Sequence, residues 1–300
     1  MASMSVKLFG KNLRNPVMNA SGTLGYGEEI EPLWGIENLG AYVTKGLSLN
    51  PHNGNPTPRV WEERQGLINS IGLQNVGVDR FFNEYFPLFK KKKTPIIVNF
   101  FGFTEEEYVA CARRIKPDNL IIALEMNLSC PNVKQGGISF GKDPEMVYKI
   151  VKEVKAVTRI PIIAKLTPEV RNLREIAKAA YDAGVDGFTL LNTMPSLVVD
   201  IEKCSVPIRG GLSGPVLRPI ALKAVYEIFS SLHVPILGSG GIMNYSDALS
   251  FIMAGACAVQ VGTATFVDPY TIPKIIQELK NYLEQLRCPR ISDLTGVAHG

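Results

Sequence analysis

Three observations predict an α/β chain folded as a (β/α)8 barrel. Short apolar runs bounded by turn residues occur eight times, segments with helical periodicity separate several of them, and nearly every run ends in a polar or glycine-containing group. Runs that are apolar throughout mark strands covered on both faces, and eight strand–helix units argue for closure into a ring. With 300 residues and 46% hydrophobic content the chain can bury one large core, and barrels of roughly 250 residues form a single domain. A single domain over residues 1–300 is therefore expected, with residues 1–5 as a short extension suggested by Met4 so soon after Met1.

Taken in chain order, Lys7 to Pro16 reads as a hairpin plugging the barrel floor. The expected strands are Val17 to Ser21, Ala41 to Ser48, Pro95 to Phe101, Leu120 to Ser129, Pro161 to Thr167, Gly187 to Thr193, Pro235 to Gly241 and Ala258 to Ala264. Asn50 to Gln74, rich in Gly, Pro and Asn, is a long insertion after the second strand, and insertions of this length usually form lids or binding loops. Thr104 followed by three glutamates opens one helix with a cap and an acidic first turn, and Asp143-Pro144-Glu145 opens another. Further helices are expected over Arg171 to Ala183, Pro215 to Leu232, Asn244 to Ala254 and Pro269 to Leu286. An open doubly wound sheet would need a Gly-x-Gly-x-x-Gly turn after the first strand and an acidic residue after the next, and neither stands there.

The net charge of +4, from 32 basic and 28 acidic residues, is spread along the chain and leaves no footprint for nucleic acid. The exception, Lys90 to Lys93, reads as the solvated end of a helix, where cations suit the macrodipole. No apolar run approaches the ~20 residues a membrane helix needs, and Met1 to Pro16 has no signal-peptide core, so a cytoplasmic chain is expected. Cys111, Cys130, Cys204, Cys257 and Cys288 form no paired or cluster spacing, and three scattered histidines make a metal site unexpected.

The chemistry concentrates at the strand ends. Asn127-Leu128-Ser129-Cys130-Pro131-Asn132 places one thiol between two carboxamides after the fourth strand, on the face where barrels carry their active sites. A thiolate is a competent base or nucleophile, and asparagines offer donors and acceptors to a planar polar substrate without bringing charge. Cys111 and Cys257, on apolar stretches, read instead as small core residues. Gly240-Gly241-Ile242-Met243-Asn244 and Gly262-Thr263, after the seventh and eighth strands, can cradle a phosphate on backbone amides; the bland alternative is that they only make tight turns. A phosphate with a planar head group implies flavin mononucleotide or a sugar phosphate. Lys165 would point at the barrel axis, where a charged lysine needs an anionic partner such as the N1/O2 edge of a reduced flavin. A Schiff-base role or a plain salt bridge is open to it, and to Lys45, when each is taken alone.

These residues together with Thr44-Lys45-Gly46, Asn69 to Asn75, Ala164 to Pro168, Leu191-Asn192-Thr193, Gly210 to Gly214, Gly238 to Ile242 and Val259 to Ala264 resemble the soluble, class 1 dihydroorotate dehydrogenases, in order and spacing, from about Val6 to the final helix. Asn69 to Asn75 and Leu191 to Thr193 look more like the NAD-linked heteromeric subclass. The resemblance implies oxidation of (S)-dihydroorotate to orotate in pyrimidine biosynthesis on an FMN-binding barrel, with Cys130 as the base at C5 and hydride passing from C6 to the flavin. It implies substrate contacts from Lys45, Asn69, Ser70, Ile71, Gly72, Leu73, Asn127, Asn132, Asn192 and Thr193. It implies FMN contacts from Ser21, Lys45, Gly46, Asn99, Asn127, Lys165, Leu191, Gly214, Gly240, Gly241, Gly262 and Thr263.

By the same resemblance the chain would form a homodimer within a heterotetramer, beside a subunit carrying FAD and a 2Fe-2S cluster that passes electrons to NAD. The stretch Met194 to Arg209 reads as a loop shorter than usual for the family, with Pro195 and Arg209 where glycine and threonine are expected. The rival readings are another FMN-barrel dihydropyrimidine or dihydrouridine oxidoreductase, and a non-catalytic flavin-binding scaffold.

Overall fold

The structure is a computed structural model that describes residues 2–129, 131–132 and 138–300. Eight parallel strands form the central sheet: Val17–Asn19, Tyr42–Val43, Ile96–Phe100, Ile121–Asn127, Ile162–Lys165, Gly187–Leu190, Ile236–Ser239 and Ala258–Val261. Each of the third to seventh pairs with both its neighbours in sequence, the second pairs with the third, and the eighth returns to the first in the register Val17 to Val259. The ring is thus the expected (β/α)8 barrel, with strands shorter than the apolar runs suggest. Beyond the ladders the chain turns into the mouth loops.

One seam is fastened differently. Between the first and second strands, Val43 N–H donates to Asn19 Oδ1 at 2.9 Å and Asn19 Nδ2 donates to Val43 O at 2.8 Å. The carboxamide stands in for a strand partner, and Gly40 N–H to Val17 O at 2.9 Å adds the one backbone bond beside it. Asn19 and Thr44, polar residues at the ends of the first two strands, are therefore engaged in the scaffold: Thr44 Oγ1 accepts from Asn99 N–H at 3.0 Å.

The helices start where local chemistry satisfies their free N–H groups. Thr104 accepts from Glu107 N–H at 3.3 Å while Glu107 accepts from Phe103 N–H at 2.6 Å, a reciprocal cap for Glu105–Arg114. Asp143, Asn172 and Asn244 cap Pro144–Val157, Leu173–Asp182 and Tyr245–Met253. Lys90 to Lys92 close the helix Phe86–Lys92, with Lys90 paired to Asp118 at 3.2 Å and Lys92 to Glu31, a helix end rather than a binding patch. Barrel interior and inner helix faces form one contiguous apolar cluster.

At the floor, Val6–Leu8 and Lys11–Leu13 make the expected hairpin, and Phe9 at its turn lies against Gly187, the first residue of the sixth strand. At the mouth, two excursions meet. The insertion after the second strand folds into a hairpin, Val60–Glu63 and Gly66–Asn69. The stretch Met194 to Arg209, read as a loop after the sixth strand, instead forms most of a second hairpin, Met194–Asp200 and Ser205–Ser213. Alternate exposed and half-buried residues along Met194–Asp200 are the period of a half-covered strand. Gly66–Asn69 pairs with Gly211–Ser213, giving a four-stranded antiparallel sheet over the barrel opening. Gly210 permits this approach, because a Cβ there would sit 1.9 Å from Asn69 O. Among the described residues no helix is long and apolar enough to cross a membrane, and no group of His, Cys, Asp or Glu is placed to hold a metal.

Candidate active site

Between the C-terminal ends of the barrel strands and the antiparallel sheet lies a cleft of about 440 Å³, within the range of small-molecule and cofactor sites. Ser21, Lys45, Gly46, Asn99, Asn127, Lys165, Leu191, Gly214, Gly240, Gly241, Gly262 and Thr263 all line it, as do Asn69 to Leu73, Asn192 and Thr193. Cys130 lies outside the described residues; Asn132 stands in the short strand Pro131–Asn132, paired with Ile138–Ser139.

One end of the cleft is made of backbone. Gly240 and Gly241 leave the seventh strand with φ of 126° and 74°, conformations that favour glycine. A Cβ on Gly241 would lie 2.8 Å from both Arg218 N and Gly214 O. Among the described residues, none of the N–H groups of Gly240, Gly241, Gly262 and Thr263 donates to a backbone carbonyl. The next amide, Met243, is occupied: Asp247 accepts from it at 2.9 Å and also pairs with Arg218. Thr263 Oγ1 donates to Ser213 Oγ at 2.8 Å, tying this end to the overlying sheet. The arrangement offers several uncommitted donors to an anion.

The floor holds a residue that the sequence reading missed. Glu125, fully buried in the fourth strand, accepts hydrogen bonds from Asn99 Nδ2 at 2.7 Å, Thr189 Oγ1 at 2.6 Å and Gln260 Nε2 at 2.6 Å. Lys165 Nζ lies 3.4 Å from the same carboxylate and 3.3 Å from Gln260 Oε1. Burial pushes the Glu125 pKa up, but the Lys165 charge and the bonds from Thr189, Gln260 and Asn99 outweigh it and hold the carboxyl below the usual glutamate value. The anionic partner assigned above to a flavin edge is thus supplied first by the protein. The available signal was a lone glutamate within the apolar run Leu120 to Met126, since a charge there must be paired to be buried. Asn99 Oδ1, also buried, has no partner among the described residues.

The other end is made of side chains. Asn192 Nδ2 donates to Asn127 Oδ1 at 3.0 Å and to Ser129 Oγ at 2.9 Å, so the two carboxamides orient one another. Asn192 Oδ1 in turn accepts from Thr193 N–H at 2.8 Å. From the overlying sheet Asn69 Nδ2 donates to Gly211 O at 3.1 Å, joining the two excursions beside the cleft. Lys45 is half-buried and its ammonium forms no ion pair among the described residues. Burial first, and then the nearby Arg59 charge, hold its pKa below that of an ordinary lysine. Ser21 Oγ donates to Thr44 O at 2.8 Å, so that hydroxyl is already placed by the scaffold. Cys111 is buried in its helix, and burial pushes the Cys257 thiol up to about 11; both are inert core thiols.

A (β/α)8 barrel with free amides after its seventh and eighth strands, a paired lysine at its floor and oriented carboxamides opposite is equipped for a phosphorylated planar ligand and a small polar substrate. The chain belongs to the dihydroorotate dehydrogenase family, whose family model matches residues 3–283. It is similar to the dihydroorotate dehydrogenase B (NAD(+)), catalytic subunit, of Desulforamulus reducens, 47% identical over 300 residues covering 99% of each chain. The proteins of the same description from Pelobacter propionicus and Caldicellulosiruptor saccharolyticus are each 47% identical over 297 residues, covering 98% of each chain.

Proposed function

We propose that this chain is the FMN-holding catalytic subunit of an NAD-linked dihydroorotate dehydrogenase, oxidising (S)-dihydroorotate to orotate in pyrimidine biosynthesis. The observation that carries this reading is the cleft itself. Anion-ready amides at Gly240, Gly241, Gly262 and Thr263 oppose the neutral pair Asn127 and Asn192 and the half-buried ammonium of Lys45 across one volume, in a chain with full-length likeness to such subunits.

FMN fits the residues present. The uncommitted amides suit its phosphate, and the unpartnered Asn99 Oδ1 suits an N–H on its ring system. The Lys165 ammonium suits negative charge on the reduced ring. Ser21, Lys45, Gly46, Asn127, Leu191 and Gly214 complete the set that would hold it. When bound, FMN supplies the hydride acceptor.

The chain's own residues do the rest. Lys45 would neutralise the substrate carboxylate, and Asn69, Asn127, Asn132 and Asn192 would fix its imide edge through neutral hydrogen bonds. Ser70 to Leu73 and Thr193 would bound the ring from the sheet side. Cys130, as the resemblance implies, removes the proton from C5, and a free thiol with pKa near ~8.5 makes the rate rise toward alkaline pH. Onward transfer to NAD would pass through a partner subunit carrying FAD and a 2Fe-2S cluster, with this chain as a homodimer within a cytoplasmic heterotetramer.

The test mixes the purified FMN-loaded chain anaerobically with dihydroorotate or dihydrouracil and follows loss of the yellow colour. Bleaching by dihydroorotate is expected, and preference for dihydrouracil, which has no carboxylate, would defeat the assignment. NAD should be reduced only after an iron–sulfur flavoprotein is added.

A further inference from the structure

We infer that Glu125 is a positioning residue that fixes the charge and the hydrogen-bond polarity which Lys165 and Asn99 present to the cofactor. The inference rests on the FMN reading above. Glu125 does not itself line the cleft; Lys165 and Asn99 do. It joins the third, fifth, sixth and eighth barrel strands through Asn99, Lys165, Thr189 and Gln260.

An ionised carboxylate only accepts hydrogen bonds. Each of its oxygens here meets two donors, Oε1 from Asn99 and Lys165 and Oε2 from Thr189 and Gln260. Two consequences follow from that chemistry. The Asn99 amide must turn its NH2 to Glu125, which leaves Oδ1 as the group without a partner among the described residues. Gln260, donating to Glu125, must turn its oxygen to Lys165, so two of the three ammonium donors are held on the buried side and the third remains for the cleft. The negative charge also offsets Lys165, so the cofactor sees an attenuated cation.

Glu125→Gln keeps the shape, removes the charge and frees both amides to turn. With FMN bound, the uncompensated Lys165 favours the reduced, anionic cofactor, and its binding relative to the oxidised form should rise at least tenfold, a potential about 30 mV more positive for two electrons. A residue that merely knits strands together would not move the potential. In a Lys165→Met background the same substitution should move the potential far less, because the cation it chiefly acts through is gone and only the freed Asn99 amide remains.

Should Glu125→Gln yield no FMN-loaded protein, the double variant Glu125→Gln/Lys165→Met is expected to restore it, since breaking a buried ion pair is far more damaging than replacing both partners. An unmoved potential in the single variant, a shift of equal or larger size in the Lys165→Met background, or failure of the double variant to restore loading would each overturn the inference. Wild-type protein that takes up no FMN would instead overturn the proposed function, and this inference with it.

Discussion

The two ends of the cleft are made of different material. Where the seventh and eighth strands end, the groups facing the cavity are main-chain N–H donors, placed by glycines whose lack of a Cβ lets neighbouring backbone come within contact distance. Where the fourth and sixth strands end, they are the side chains of Asn127 and Asn192, each oriented by the other. A backbone site is indifferent to most side-chain changes and intolerant of added bulk; a side-chain site is the reverse. The first suits a resident group common to many barrels, and the second suits discrimination among substrates.

That contrast can be tested in order of expected effect. Cys130→Ala should lower the rate of flavin reduction by dihydroorotate by about 10²- to 10⁴-fold in stopped-flow measurements, as loss of a general base commonly does, while the FMN spectrum persists. Unchanged reduction would remove the thiol from the mechanism. Gly241→Val places a β-branched residue at φ 74° with its Cβ 2.8 Å from backbone. The strain of about 1–3 kcal/mol should appear as at least tenfold weaker FMN binding by fluorescence titration; an unaltered affinity would break the backbone half of the comparison.

Asn192→Ala should do the opposite. It leaves FMN affinity near its original value and raises KM for dihydroorotate by roughly tenfold, the size expected for one lost hydrogen bond to substrate plus an Asn127 carboxamide held only by Ser129 N–H among the described residues. The smallest effect is on pH. Lys45 has a depressed pKa, so it loses its charge at a lower pH than an ordinary lysine, and substrate binding should weaken as pH rises through that value. Arg59→Ala removes one cause of the depression and should move this alkaline limb to higher pH; movement in the other direction would mean that Arg59 acts otherwise.

The eight barrel strands were legible because burial on both faces writes them as continuous apolar runs, such as Ile121 to Leu124. Their ends were overdrawn, since Ala41 to Ser48 reads as one run although the continuous ladder covers Tyr42–Val43 and pairing with the third strand resumes only at Leu47. Helix starts were legible where a side chain caps them, as at Thr104 and Asp143. The overlying sheet was not. Its strands come from segments far apart in sequence, and the pairing of Gly66–Asn69 with Gly211–Ser213 leaves no local trace.

At the site, polar and glycine residues at strand ends stood out individually, whereas their mutual engagement did not. Nothing in the letters says that Asn19 spends both amide groups on Val43 while Asn99 keeps an oxygen free among the described residues. Glu125 was visible as an oddity in an apolar run, but its meaning depends on four strands arriving at one point.

The carboxamide of Asn19 also bears on how such a ring is assembled during synthesis. The first strand's ladder partner is the eighth, so it cannot complete its hydrogen bonding until nearly the whole chain has left the ribosome. Until then its links to the second strand are the Asn19 carboxamide on Val43 and the Gly40 N–H on Val17 O, the same bonds that close this seam in the finished ring.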